Sequence, residues 1–190
     1  LNPGDGVPVR VRGNHGSAVT VRAAAQTGLD GLTLGGIEQA TLMLLPDAPI
    51  CLVSGLPGKD GAVRRTAKAG DGSVRPVQPG QALAVGDPGE SAADFVRRLA
   101  APADLGLCDL SDARVRLALS GSLAREIIAT QSGIDIYPSA FVKGSSTPTL
   151  FGHIPVQLTR LADDRFEIMA FSTYAQDLAE SLLRAMRLAA

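Results

Sequence analysis

Asp109 and Asp112, in the run Cys108-Asp109-Leu110-Ser111-Asp112, are spaced as a carboxylate pair that could hold a metal or act as a general base. No His or third carboxylate stands near them. Asp and Ser side chains in such a run also build turns, accepting bonds from backbone N–H groups, and that is the preferred reading. A hydrolase would need a nucleophile with a base in reach, and the chain has two histidines, His15 and His153. No Gly-x-Ser-x-Gly elbow occurs, and Ser122 stands where a helix N-cap belongs. In Gly55-Leu56-Pro57-Gly58-Lys59 the glycines are too close for a phosphate loop, Asp60 follows the lysine, and no helix is expected after it. Gly70-Asp71-Gly72 lacks the third glycine of a dinucleotide loop and reads as a turn. Cys51 and Cys108 lie far apart inside apolar runs, without His or Cys neighbours. They read as two buried thiols, not a metal knuckle.

Three aromatic residues are harder to place. Tyr137, Phe141 and Phe151 fall in a Gly/Ser/Thr/Pro-rich connection over 132–152, where no periodicity requires a buried ring. They either cover a sheet edge of this chain or anchor a neighbour, and spacing does not separate the two.

Composition narrows the classes. The 190 residues carry a formal charge of −1, which is unlike the basic stripe of a nucleic-acid binder. Arg64-Arg65 and Arg97-Arg98 are only doublets. With 45% apolar and 19% charged residues the chain can fill a core. No run of about 18 apolar residues suggests a membrane span. The first residues lack a signal-peptide layout, so a cytoplasmic protein is expected.

Residues 1–16, rich in Gly, Pro and Asn, read as a flexible N-terminal arm, and 17–190 as one domain. Strands are expected at Val19-Thr20-Val21, at Ile50–Val53 and at Gln81–Val85. The run Ile37–Leu45 forms a strand or a short helix. As a strand it would pair with 50–53 through a Pro46–Pro49 hairpin turn. The six glycines and three prolines of 55–80 indicate a long exposed loop. Ser91 and Asp94 have capping-box spacing ahead of the apolar face Ala92, Phe95, Val96 and Leu99. Val115, Leu117 and Leu119 alternate as a half-buried strand, and a helix follows with Leu123, Ala124, Ile127 and Ile128 on one face. Ile154, Val156 and Leu158 pair with Phe166, Ile168 and Ala170 across an Asp163-Asp164 turn. Thr173 and Gln176 read as a capping box for a last helix striped by Tyr174, Leu178, Leu182 and Met186. The order strand, helix, strand, strand, helix indicates an α+β fold, with antiparallel sheets and helices packed on one face.

An ordered set of short motifs from about 107 to 186 resembles the gamma subunit of heterotetrameric sarcosine oxidases. Asp109-Leu110-Ser111-Asp112-Ala113-Arg114 is similar to that family's D-x-S-D-R, and Ser120-Gly121-Ser122-Leu123-Ala124-Arg125 to its S-G-P-x-A-R. Gly133–Gly144 and Phe171-Ser172-Thr173-Tyr174-Ala175 continue the set. The departures at Ser122 and Thr173-Tyr174 mark a divergent member. The resemblance implies a fold related to the folate-binding aminomethyltransferases. Those enzymes carry an acidic G-G-x-x-D-D segment where this chain reads Phe151-Gly152-His153-Ile154-Pro155-Val156, without a carboxylate. It further implies a structural, non-catalytic subunit with no cofactor of its own, packed against large (alpha) and other subunits that carry FAD, FMN, NAD and tetrahydrofolate. The complex would oxidatively demethylate an N-methyl amine. The alternative is a stand-alone folate or one-carbon binding module.

Overall fold

The computed structural model describes residues 34–190 in full and the backbone of 8–12, 18–22 and 33. In chain order the elements are β1 (Pro8–Arg12), β2 (Ala18–Arg22), β3 (Thr33–Ile37), β4 (Ala40–Leu44), β5 (Ile50–Gly55), α1 (Asp60–Lys68), β6 (Arg75–Gln78), β7 (Gln81–Val85) and α2 (Ala92–Leu99). They continue as β8 (Leu105–Asp109), β9 (Arg114–Ser120), α3 (Ala124–Gln131), β10 (Ser146–Phe151), β11 (Ile154–Ala162), β12 (Arg165–Phe171) and α4 (Ala175–Ala189).

Two antiparallel sheets carry the fold. One runs β10-β11-β12-β9-β4-β3, the other β6-β7-β5-β8. Alternation along the strands shows how they stack. In β12, Phe166, Ile168 and Ala170 join the core formed with α3 and α4, while Met169 between them packs against Ile50, Leu83 and Val85 of the other sheet. In β5 and β7, Cys51, Val53, Ala82 and Ala84 turn the opposite way, onto Val63 and Ala67 of α1 and Phe95 and Leu99 of α2. The molecule is therefore four layers deep: helices, six-stranded sheet, four-stranded sheet, helices. Each sheet has helices on one face and the other sheet on its second face.

The α+β reading stands, together with the strands at 81–85 and 114–120, the 154–171 hairpin and the Ser91 cap, whose Oγ accepts from Asp94 N. Other expectations change. The 37–45 run does not pair with 50–53. It ends a β3–β4 hairpin, and Pro46–Pro49 crosses from one sheet to the other. The supposed loop over 55–80 contains α1 and β6. Helix α1 was hidden because its buried face is only Val63, Thr66 and Ala67, between charged residues. The connection at 132–152 contains β10, whose Pro148 and polar residues suit an edge strand. Within the expected arm, Pro8–Arg12 pairs with Ala18–Arg22, and the rest of 1–16 lies outside the described residues. Neither Ser122 nor Thr173 caps a helix. Leu123 and Tyr174 occupy those positions without side-chain caps.

Gly121 has its own reason to be glycine. Its φ is 123°, and a Cβ there would lie 2.2 Å from the carbonyl oxygen of Gln39, in the β3–β4 turn. The two thiols also part company: Cys51 is buried and Cys108 exposed on the edge strand β8. Burial pushes the Cys51 thiol pKa up, leaving it little thiolate. In native protein a chromogenic disulfide reagent should therefore titrate one thiol promptly and the second only with unfolding. Two equally fast thiols would contradict this packing.

Candidate functional site

Where the sheets face each other, the apolar packing is interrupted by a cluster of charges. Glu167 of β12 and Arg75 of β6 are both fully buried. Arg75 Nε donates to Glu167 Oε1 at 2.8 Å, and Arg116 Nη2, from β9, donates to Oε2 at 2.8 Å. The far side of Arg75 makes a bidentate pair with Asp71, at 3.0 and 2.7 Å. Burial alone would raise the Glu167 pKa, but the charges of Arg116 and Arg75 outweigh it and hold the carboxyl below its usual value. Asp71 is lowered in the same way, burial again being outweighed by Arg75. Arg75 is raised, since the two carboxylates more than offset its desolvation. Both oxygens of Glu167 are occupied and neither meets solvent. A carboxylate so held is a poor proton acceptor and works as an ionic bolt between the sheets. Beside it, Gln157 Nε2 donates to Ser146 Oγ, which is bonded to Thr159 Oγ1.

Sequence reasoning missed this cluster. Alternation in β9 and β12 marks Val115, Leu117, Phe166 and Ile168 as a core face and leaves Arg116 and Glu167 on the opposite face, which in a half-buried strand would meet solvent. The second sheet covers that face. The run Ile168-Met169-Ala170-Phe171 held the available signal, because four consecutive apolar residues in a strand imply burial on both sides.

The three aromatic residues separate. Phe151, at the end of β10, and Phe141 belong to this chain's own core, at 1% and 6% exposure. Tyr137 stays on the surface at 68%. It sits on a firmly held turn: its carbonyl accepts from Ala140 N and Phe141 N, and its N–H donates to Asp135. Arg160 donates to the carbonyls of Pro138 and Phe141, and Arg125 to those of Ile136 and Asp163.

The other sequence candidates are not brought together. Asp109 Oδ1 accepts from Ser111 N, and Ser111 Oγ accepts from Ile50 N, so this run is a turn that ties β8 to β5. Ser122 and His153 are exposed, the latter in the β10–β11 turn, and His15 lies outside the described residues. A helix, α1, does follow Gly55–Lys59, but Lys59 is paired with Asp104 at 2.6 Å and Asp60 accepts from Gly80 N. Among the described residues no three His, Cys, Asp or Glu side chains are grouped to hold a metal. No described helix is long and apolar enough to cross a membrane. A cleft of about 350 Å³ opens between α1, the β6–β7 turn and β10, walled by Val63, Pro76, Val77, Pro79 and Pro148. Its one carboxylate is Asp60, and it has no aromatic wall.

Among solved structures, the fold is similar to a chain of the heterotetrameric sarcosine oxidase from Corynebacterium sp. U-96. That match has a TM-score of 0.69 at 20% identity, over 82% of this chain and 88% of that one. It is also similar to the glycine cleavage system aminomethyltransferase T from Bartonella henselae, with a TM-score of 0.56 at 20% identity. There the match covers 78% of this chain and 49% of that one. No protein-family model and no curated protein sequence matches the chain.

Proposed function

We propose that this chain is a structural, non-catalytic gamma-type subunit of a cytoplasmic sarcosine-oxidase-like complex that oxidatively demethylates an N-methyl amine. The carrying observation is the near end-to-end correspondence with one chain of a heterotetrameric sarcosine oxidase, 82% of this chain against 88% of that. The aminomethyltransferase is matched over only about half its length. In this reading FAD, FMN, NAD and tetrahydrofolate reside on the other subunits, and this chain packs against the large one. Its own chemistry fits such a role. The buried acid Glu167 is consumed by two guanidiniums, and the β10–β11 turn, where the resemblance looks for an acidic segment, presents Gly152 and His153.

The 350 Å³ cleft is the observation that favours the second reading, a folate or one-carbon binding module. Against it, the lining lacks an aromatic wall, and Asp60 is already bonded to a backbone N–H.

Co-expression with the large and remaining oxidase subunits from the same genome, followed by size-exclusion chromatography, tests the proposal. Co-elution with flavin absorbance, and loss of oxidase activity when this chain is omitted, are expected. A colourless stable monomer that takes up tetrahydrofolate in a calorimetric titration would replace this reading with the second one.

A further inference from the structure

The six-stranded sheet is wider than the sheet that covers it, and at one end a row of side chains is left over. Leu150 of β10 stands opposite Pro155 of β11, and Phe171 of β12 opposite Arg114 of β9. One step beyond the Val156–Ala170 pair, the same register sets Pro155 against Phe171, so the four residues form one line across four strands. Their neighbours Phe151, Ile154, Val156, Ala170 and Val115 all point into the helical core. The row therefore belongs to the face that sheet packing covers elsewhere. Among the described residues nothing covers it: Leu150 is 54% and Phe171 41% exposed, and Pro155 is exposed as well.

Arg114 says what kind of surface this is. Its guanidinium lies over the Phe171 ring, 3.8 Å from the centroid. Its Nε is the one buried side-chain nitrogen or oxygen without a hydrogen bond among the described residues. Burial pulls its pKa down with no carboxylate acting against it. Half-buried Arg114 differs in this from the two fully enclosed arginines among the described residues, Arg75 and Arg160, which each have a carboxylate. A half-desolvated cation beside an apolar row is complementary to an anion that arrives with apolar neighbours.

We infer that Leu150, Pro155, Phe171 and Arg114 form the docking surface for the large partner subunit, which sets an Asp or Glu carboxylate on Arg114 and apolar side chains along the row. This rests on the subunit reading above and names the face it uses. A second copy of this chain fits worse. Two-fold pairing of the row places Arg114 against Leu150, and none of the four residues supplies a negative charge.

The test compares binding of the co-expressed large subunit to wild type and to Phe171→Asp, Leu150→Asp, Arg114→Ala and Arg114→Glu, with Leu188→Asp as a control at an exposed site outside the row. Urea midpoints confirm that each variant is folded. Wild-type binding, weakened about tenfold or more by the row variants and unchanged by Leu188→Asp, is the expected result. Arg114→Glu should bind more weakly than Arg114→Ala, because it opposes the partner's carboxylate. Wild-type binding that the row variants leave intact would overturn this surface and spare the subunit reading. Failure of wild type to bind would sink both. A self-dimer that Phe171→Asp dissolves would assign the row to a second copy instead.

Discussion

Replacing Glu167 with alanine should lower the unfolding free energy by about 3–5 kcal/mol, the range for removing one partner of a buried ion pair. The loss comes from what remains. Arg75 has no solvent access, and without Glu167 it and Arg116 must share the charge of Asp71, Arg116 keeping its bond to the Pro46 carbonyl as well. Glu167→Gln should also destabilise, because the amide keeps the shape and loses the charge. The cluster also sets a pH dependence. The Glu167 carboxyl has a pKa below its ordinary 4.5 in the fold, so its contribution is complete above the unfolded value. It is lost as pH falls below about 4.5 and through the folded pKa. Asp71 acts in the same direction. Urea denaturation from pH 3 to 7 should show wild-type stability falling on the acid side and a flatter acid limb for Glu167→Gln. Equal midpoints for wild type and Glu167→Ala at pH 7 would show that the cluster does not bolt the sheets.

Phe151→Ala should cost a comparable amount, about 3–5 kcal/mol, as expected for emptying a large aromatic site in a packed core. The ring closes the core at the end of β10, which is paired on one side only, to β11. Its loss leaves a cavity beneath an edge strand that offers the helical core no other large side chain, since Leu150 points outward. Tyr137→Ala is the matched control, since a mostly exposed side chain should change stability by less than about 0.5 kcal/mol. Urea midpoints of the two variants, measured side by side, decide it. If Phe151→Ala were neutral, the ring could not be part of the core, and its place as an anchor for a neighbour would return.

What the sequence disclosed depended on how many faces of each strand were apolar. Where one face was apolar and the other mixed, as in 114–120 and 154–170, alternation located strand and turn correctly. The same alternation misled about the mixed face, because period-2 patterning cannot say whether polar residues meet water or a second sheet that brings its own charges. Helix α1 was illegible for a related reason. Sandwiched between the Pro57-Gly58 turn and Gly70, it buries one valine, one threonine and one alanine, too small a stripe to show among lysines and arginines. Tyr137, Phe141 and Phe151 looked equivalent, yet two fill the core and one does not. The turn that carries Tyr137 is tied down by Arg125 and Arg160 through the carbonyls of Ile136 and Pro138, bonds that no side-chain pattern reveals.

The order of strands has a consequence for how the chain reaches this structure. The four-stranded sheet and its helices come from one continuous stretch, 50–109, whose core residues all lie within it. The six-stranded sheet is assembled from both flanks of that stretch and joins at a single seam, where Leu42 meets Leu119 and Leu44 meets Leu117. Closing the seam requires the intervening chain to be compact already, so the entropy of that long loop delays it. During synthesis the β4 edge stays unpaired until β9 emerges, which makes it the segment most open to pairing with another chain. Arg75 keeps its water until the same moment, since its covering strands arrive with the seam. In pulsed hydrogen exchange during refolding, amides of β5 and β7 should gain protection before those of β4 and β9. The reverse order would place the nucleus in the six-stranded sheet.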